Sequence, residues 1–235
     1  MKKLIYLVLI LILISCQSSK VFEYSDKDIE NGREAVLEMI NQSSLAATNV
    51  LLTQDILTTF SGQLIGTDGA IITNHLDEIP GLKRELNQYL DEGSLLVASL
   101  IEKLHLFISN TLIELVYVED PFNLINGNEF AVTTFFAQEA TDNIESFLLQ
   151  EIKSSEGKKS LDSWAKVQST YNSYAYAYPL LFPSHSFELI SIEIEKVITF
   201  AILRQFFGAM REQEALIRTL APTYDDSLLT IFASR

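Results

Sequence analysis

The chain has 235 residues, of which 48% are hydrophobic, and its formal net charge is −14. This length and apolar content are typical of one folded domain of ordinary to large size, and they exclude a mostly disordered chain. The negative charge disfavours nucleic acid as a partner, because the phosphate backbone would be repelled, and it also disfavours broad contact with anionic lipid headgroups.

The N-terminus has the order of features found in a secretory signal. Lys2 and Lys3 precede an almost unbroken apolar run over residues 4–14. A positive start followed by such a run is typical of signal peptides. As a helix the run would measure about 16 Å, about half the hydrocarbon core of a bilayer, which is too short for a permanent membrane span. We therefore predict an export signal over residues 1–15.

Cys16 stands directly after this signal. The sequence Leu13-Ile14-Ser15-Cys16 resembles the lipobox of bacterial lipoproteins. The resemblance implies a thioether-linked lipid on Cys16, cleavage after Ser15, and acylation of the new amino group by a fatty acid such as palmitate. An ordinary cleavable signal or a short anchor with an incidental cysteine is the alternative. We favour lipidation because Cys16 is the only cysteine in the chain and lies where this chemistry requires it.

The mature chain would be held in the cell envelope by this lipid. Loss of Lys2 and Lys3 changes the formal charge from −14 to −16, so the acyl chains rather than the protein surface would make the attachment. Residues 16–27 are polar after the cysteine and predict a short tether, which leaves residues 28–235 as the domain. Gln17 replaces the aspartate that often marks inner-membrane retention in enteric bacteria, which slightly favours the outer membrane.

Apolar residues recur at helical spacing along the rest of the chain, and no alternating strand pairs are present. We predict a single all-α, multi-helix domain. Residues 61–80 contain three glycines and a proline, which indicates a loop with a short strand or one helical turn. The predicted helices are 28–60, with a break near Asn41 to Ser44; 81–90, ended by Asp91-Glu92-Gly93; 95–118, capped by Ser94; 129–153, capped by Asn128; 161–178, stopped by Pro179; and 187–220, followed by a turn capped by Asp225 or Asp226.

Candidate catalytic chemistry is sparse. The three histidines, His75, His105 and His185, lack the spacing of a metal site, and we predict no metal or other cofactor. His105 lies in an apolar helical context, so we interpret it as a residue at the edge of the core. Ser184 and His185 are neighbours, which rarely form a nucleophile pair, and no nucleophile elbow is present.

Paired acidic residues and a glycine-rich stretch also lack a catalytic pattern. Residues two apart on a helix face different directions, and adjacent aspartates before an apolar turn are typical of caps, so we interpret the pairs as solvated surface charge. Residues 62–69 contain glycines but lack the lysine of a phosphate loop. The acidic pairs are Glu193 with Glu195, Glu212 with Glu214, and Asp225 with Asp226.

Tyrosines between residues 171 and 178 form the most distinctive local composition. On a helix, Tyr171, Tyr174 and Tyr178 share one face, whereas Tyr176 points elsewhere. Such a face suits a sugar, a peptide or a protein partner, but packing against the core is the more frequent role. We therefore treat these three tyrosines, with His185 nearby, as a speculative ligand-binding site.

Several stretches resemble an uncharacterised bacterial family known only as domain of unknown function 4197. The resemblance implies a mostly helical exported domain and transfers no catalytic residue. The similar stretches are NGNEFAVTTFF (126–136), EKVITFAIL (195–203), EQEALIR (212–218) and LLTIF (228–232), with NGREA (31–35) as a further match near the start.

Two hypotheses of function follow from the sequence. The first is a non-catalytic envelope lipoprotein whose domain binds or scaffolds an envelope protein or glycan. The second is a hydrolase or small-ligand carrier with a pocket between helices, the tyrosine face and His185 lying at its mouth. We favour the first hypothesis, because the anchor is recognisable and no catalytic constellation is.

Overall fold

The computed structural model describes residues 24–66, 69–223 and 228–233. These residues form a single helical domain without β-strands, which confirms the predicted all-α fold. Cys16, the signal, most of the tether, and the predicted caps Asp225 and Asp226 lie outside the described residues. The helices are α1 (Asp26–Thr53), α2 (Ile56–Leu64), α3 (Gly69–Thr73), α4 (Leu82–Phe107), α5 (Pro121–Ile125), α6 (Ala131–Ile152), α7 (Lys158–Leu181) and α8 (Ile194–Leu220).

Helix α1 begins at Asp26, two residues before the predicted domain boundary, because Ser25 and Asp28 form a capping box. The Asp28 N–H donates to Ser25 Oγ at 3.2 Å, and the Ser25 N–H donates to Asp28 Oδ2 at 3.1 Å. The predicted break near Asn41 was wrong. The Ser43 and Ser44 hydroxyls donate to carbonyls one turn earlier, so both side chains stay buried within a continuous helix.

Helix α4 is continuous through Gly93, so the predicted helix end at Asp91-Glu92-Gly93 was wrong. Gly93 is buried where α4 meets Leu64 and Ser160, with space for a Cβ atom at ordinary contact distances. Ser94 does not cap a new helix, since its hydroxyl donates to the Leu90 carbonyl at 2.7 Å. Burial of apolar residues of α4 on both sides of Gly93, such as Tyr89 and Leu96, therefore outweighs the low helix propensity of glycine.

Beyond Phe107, the chain of α4 continues through a π-helical turn, Ile108–Leu112, and a final turn, Ile113–Leu115. Within the described residues, the stretch Leu82–Leu115 is the one helix long and apolar enough to cross a membrane by length and composition. Its buried face packs against α1, α2 and α7, which makes it the central helix of the domain.

Three further helix boundaries differ from the predicted ones. Helix α6 begins at Ala131 rather than residue 129, and Asn128 Oδ1 accepts only the Phe130 N–H. Helix α7 includes Pro179 in its last turn and ends at Leu181. Helix α8 begins at Ile194 rather than residue 187, because α7 side chains hold the preceding segment extended: Asn172 exchanges two hydrogen bonds, of 2.8 and 2.9 Å, with the Ile190 backbone.

The long helices pack in antiparallel pairs that define two ends of the domain. Near the start of α4, Thr170 of α7 donates to Glu85 at 2.5 Å. Further along α4, Glu92 accepts a hydrogen bond from Ser163, which lies earlier in α7, so the two helices run in opposite directions. Helix α1 is likewise antiparallel to α4, since Arg33 Nε donates to the Val118 carbonyl at 2.9 Å. The start of α1 and the end of α7 therefore lie at opposite ends of the domain.

Candidate ligand-binding cleft

The four residues of the speculative site lie around one open cleft at the end of α7. The structure brings Tyr171, Tyr174 and Tyr178 of α7 together with His185 of the following loop. The cleft has a volume of about 670 Å³, within the range of small-molecule sites. Its other lining residues come from α3 and the segment after it and from the chain beyond Pro183: Ile71, Asn74, His75, Glu78, Ser184, Ser186, Phe187 and Glu188.

The helical spacing of the tyrosines sets their different exposures. Tyr171 is completely buried, as expected of a core residue, whereas Tyr174 and Tyr178 are half-buried and line the cleft. Tyr176 is 71% exposed and points away from this face, as its spacing predicted. Packing and cleft formation are therefore combined on one helix face, with the innermost ring in the core and the outer two in the cleft.

Aromatic rings form much of the wall of the cleft. Phe187 lies at the centre of this group, with its ring centroid 5.6 Å from that of Tyr174, 5.4 Å from that of Tyr178 and 5.0 Å from that of His75. All three contacts are edge-to-face, which is a favoured geometry for aromatic pairs. The Phe182 ring stacks on Tyr178 at 4.6 Å and extends the aromatic surface towards the cleft edge.

The charges around the cleft are acidic. Glu78 and Glu188 line it, and no lysine or arginine is present among the lining residues of this described region. Glu78 Oε2 lies 2.7 Å from His75 Nδ1. Burial raises the pKa of Tyr171, and the negative charge of Glu188 raises it further. Burial also raises the pKa of Tyr174, with smaller contributions from Tyr178 and Glu78.

The Tyr171 hydroxyl is a buried polar group without a hydrogen-bond partner in the structure. Most buried hydroxyl groups in proteins are hydrogen-bonded, because an unpaired one loses its interactions with water and gains nothing in return. Because Tyr171 is also a lining residue of the cleft, its unpaired hydroxyl makes the cleft a candidate site for a ligand that can form a hydrogen bond.

Sequence reasoning missed the residues that complete the cleft. His75 and Glu78 lie in the region predicted as a loop, where no periodicity indicated which side chains would meet α7. Phe187 was expected at the start of a helix, but it lies in the extended segment before α8. The signal that could have located it is the placement of Phe182 and Phe187 on either side of Pro183, close in sequence to the tyrosines.

The other two histidines, His185 and His105, each have a serine hydroxyl near a ring nitrogen. Ser184 Oγ lies 3.1 Å from His185 Nδ1, so these neighbours do contact each other, although both residues are exposed. His105 is half-buried, with Nδ1 3.1 Å from Ser44 Oγ, and burial lowers its pKa, as suits the edge of a core. Across the described ranges, no three histidine, cysteine or acidic side chains lie close enough together to hold a metal ion.

Glu214 corrects the interpretation of the acidic pairs as surface charge. Its side chain is completely buried and accepts the backbone N–H groups of Val132 at 3.0 Å and Thr133 at 2.7 Å, which caps the start of α6. Glu193, by contrast, forms an exposed ion pair of 2.5 Å with Lys196.

Arg218 completes the buried pair with Glu214. Its Nε donates to Glu214 Oε1 at 2.9 Å, and its other nitrogens donate to the carbonyls of Leu124 and Ile125, both at 2.9 Å. The guanidinium also lies 4.8 Å from the ring centroid of Phe232. Three of the stretches quoted for the family resemblance therefore meet at this ion pair, which ties α5, α6 and the C-terminal turn to α8.

A second cavity of about 580 Å³ borders this ion pair and is lined in part by Tyr24, Phe122 and Phe232. The Arg218 side chain at its edge is already bonded to Glu214 and to two carbonyls, which indicates a structural role. The tyrosine cleft, with its unpaired hydroxyl, is the better candidate for ligand binding.

A family model described as protein of unknown function (DUF4197) matches residues 97–233, more than half of the chain. No curated protein and no solved structure matches the chain. The matched range includes the Glu214–Arg218 pair and the tyrosines of α7, whereas His75 and Glu78 lie before it.

Proposed function

This chain belongs to the DUF4197 family of proteins of unknown function, and we propose from its own features that it is a lipid-anchored protein of the bacterial cell envelope whose helical domain is a non-catalytic binding module. The observation that carries the binding role is the aromatic cleft at the end of α7, with its unpaired Tyr171 hydroxyl. The anchor is supported by the signal and lipobox around Cys16.

Exposed apolar side chains beside the cleft support a contact with an envelope protein or glycan. Leu180 and Leu181, at the end of α7, are 71% and 75% exposed, and Phe182 follows them at the cleft edge. Clustered exposed apolar residues of this kind mark interaction sites more often than isolated ones do. Aromatic rings with polar tips also suit both sugar rings and peptide side chains.

Membrane attachment is tested by replacing Cys16 with serine in the full chain and separating membranes from soluble protein. We expect the unchanged chain to stay with salt-washed membranes, to take up a labelled fatty acid and to sediment with the outer membrane, and the Cys16→Ser chain to lose the label. Ser18→Ala is the matched control, since it leaves the lipobox intact. A Cys16→Ser chain that still carries the fatty acid would contradict the anchor.

The binding role is tested by photo-crosslinking in intact cells, with a photoreactive residue at Leu181, which is 75% exposed at the end of α7 beside the cleft. The control position is Leu95 on α4, which is similarly exposed at 74%. We expect a specific adduct from position 181 that is lost in a Tyr174→Ala, Tyr178→Ala background. Equal adducts at both positions, or none at either, would contradict a binding surface at the cleft.

A hydrolase acting in the same cleft is the second candidate function, favoured by one observation, the contact between Ser184 Oγ and His185 Nδ1. A serine nucleophile needs a base that is itself oriented and donors for an oxyanion. We expect the full chain not to react with a fluorophosphonate probe. Labelling that disappears in Ser184→Ala but persists in the neighbouring Ser186→Ala control would favour the hydrolase.

A further inference from the structure

We propose that the cleft binds a ligand carrying an organic ammonium group with N–H donors, held against the aromatic lining of the cleft by the carboxylates of Glu78 and Glu188. The proposal rests on the proposed binding function and adds the chemical class of the ligand. Three independent features of the cleft carry it: its aromatic lining, the sign of its charges and the unpaired Tyr171 hydroxyl.

Aromatic rings supply much of the lining of the cleft. The plane of Phe187 makes an angle of 78° with Tyr174 and of 84° with Tyr178, and the plane of His185 makes an angle of 86° with Tyr178, so these rings pack edge against face. An edge-to-face contact occupies one face of a ring and leaves its other face free of that neighbour. A cation is attracted by the negative face of an aromatic ring, so a ring face that borders the cleft favours a positive group over a neutral one.

The carboxylates also attract a cation, as the ring faces do. Glu78 and Glu188 both line the cleft; Glu78 Oε2 lies 2.7 Å from His75 Nδ1, and no lysine or arginine is among the described lining residues. An ammonium group would exchange its hydration for these carboxylates and the ring faces, whereas an anion would be repelled by both. The charges therefore favour a cation over the carboxylate or phosphate ligands that a basic site would bind.

Tyr171 adds an unpaired hydroxyl to the residues that line the cleft. Its oxygen has two acceptor positions and no partner, and the residue is completely buried. Because the hydroxyl is enclosed, the bordering side chains would shift as the ligand's ammonium N–H donates a hydrogen bond to this oxygen. A quaternary ammonium group could not do so, which is why we specify N–H donors.

The test is calorimetric titration of the full chain, purified in detergent, with putrescine, with butanediol as its neutral analogue, and with succinate as an anionic one. We expect putrescine to bind about tenfold more tightly than butanediol, as cation–π and carboxylate contacts predict, and succinate not to bind. The double variant Glu78→Gln, Glu188→Gln should remove this preference, whereas Glu212→Gln, an exposed acid on α8, should preserve it.

Tyr171→Phe separates a binding role from a structural one. It removes a hydroxyl that has no partner in the free protein, so we expect an unchanged or higher Tm together with weaker putrescine binding. A lower Tm with unchanged binding would assign the hydroxyl to the core and overturn its part in the site.

The remaining outcomes distinguish this proposal from the proposed function. Equal affinity for putrescine and butanediol, or preference for N-acetylglucosamine added as a glycan probe, would overturn the ammonium ligand. If no probe binds while the specific crosslink at position 181 persists, the ammonium proposal fails and the binding module stands. If the crosslink is absent as well, both fail.

Discussion

The carboxylate of Glu214 illustrates how one buried side chain joins distant parts of the sequence. It accepts two backbone N–H groups at the start of α6 and pairs with Arg218, whose other donors hold the carbonyls of Leu124 and Ile125. Each partner satisfies groups that would otherwise be buried without hydrogen bonds. A buried charge pair contributes little net stability when formed, but loss of one partner costs a great deal.

Glu214→Gln should therefore lower the free energy of unfolding by about 3 kcal/mol, because it removes the charge that balances the buried Arg218. Glu212→Gln, two residues away on the exposed face of the same helix, is the matched control and should change it by less than about 0.5 kcal/mol. Urea unfolding followed by circular dichroism measures both variants. Equal effects of the two substitutions would show that Glu214 does not hold these segments together.

The burial of Glu214 could have been predicted from the sequence, although its neighbour Glu212 suggested a pair of acids on the surface. Glu214 lies four residues after Met210 and four before Arg218, on the face of α8 that also carries Ile217. A charged residue at an apolar helix position, with an opposite charge one turn later, indicates a buried pair. Its partners at the start of α6 are more than eighty residues away in the sequence, and no local pattern identifies them.

Two glycines that face neighbouring elements differ in the space around them. A Cβ atom on Gly93 of α4 would lie 3.4 Å from Leu64 Cδ1, an ordinary contact distance, whereas one on Gly32 of α1 would lie 3.0 Å from Cγ and 3.1 Å from Cβ of Pro121. The proline ring at the start of α5 is stiff, so it cannot easily move away.

We therefore expect opposite effects from the same substitution. Gly93→Ala should raise the free energy of unfolding by about 0.5–1 kcal/mol through the loss of backbone entropy in the unfolded chain. Gly32→Ala should lower it by about 1–3 kcal/mol through overpacking against α5. Thermal and urea unfolding of both variants measure the difference. A destabilised Gly93→Ala chain would contradict the packing described at the α2–α4 contact.

The connection between α6 and α7 is held to α4 by ionic contacts. Glu156 bonds to Lys103 and to Ser99, and Lys103 also pairs with Glu151 at 2.7 Å. The hydrogen bond from Lys103, followed by that from Ser99, lowers the pKa of the Glu156 carboxyl. The sequence predicted helices that end at residue 153 and begin again at residue 161, and nothing local indicates that Lys103 of α4 contacts the connection between them.

A lowered carboxyl pKa stabilises the fold above the pKa of the unfolded chain, and this contribution is lost as the pH falls through the lower folded-state value. Glu156→Gln should therefore lower the free energy of unfolding by about 0.5 kcal/mol at pH 7, a small value because solvent screens the half-exposed pair. The difference should disappear in strongly acidic buffer. Glu139→Gln, an exposed acid on α6, is the control; a difference that grows on acidification would contradict this linkage.

The all-α class and the approximate positions of the long helices could be predicted from the spacing of apolar residues. The ends of the helices could be predicted less well from the sequence, and particular residues show why. Helix α4 continues through Gly93 because apolar residues on both sides of it, such as Tyr89 and Leu96, are buried against other helices, and residues 187–193 stay extended because Gln168 and Asn172 of α7 bond to the Ile190 backbone. Such long-range contacts override the local propensities from which a sequence predicts boundaries.

At the scale of the whole molecule, the start of α1 and the aromatic cleft lie at opposite ends. The predicted tether joins the domain at α1, whereas the cleft adjoins the segment that precedes α4. The 26 residues of α4 separate these ends, and as a helix they measure about 39 Å. An anchored domain that stands upright on the membrane would therefore present its cleft away from the lipid.

This arrangement predicts different access of lipid quenchers to the two ends. A fluorophore attached through a cysteine placed at Asp26, next to the tether, should be quenched by spin-labelled lipids, whereas one placed at Tyr176 should not. The lipid blocks Cys16 in the anchored chain, so the new cysteine is the one labelled. Stronger quenching at position 176 than at position 26 would indicate that the domain lies with its cleft against the membrane.

If the proposed anchor holds the domain upright, the length of the central helix would raise the cleft about 39 Å above the anchor point. At that height the cleft would be out of reach of the headgroups of its own membrane and of small proteins embedded flat within it. It would meet molecules dissolved in the surrounding aqueous layer, or those that extend across that layer from elsewhere. The helical bundle would then also be a spacer, whose helix lengths would select the layer in which a ligand is met.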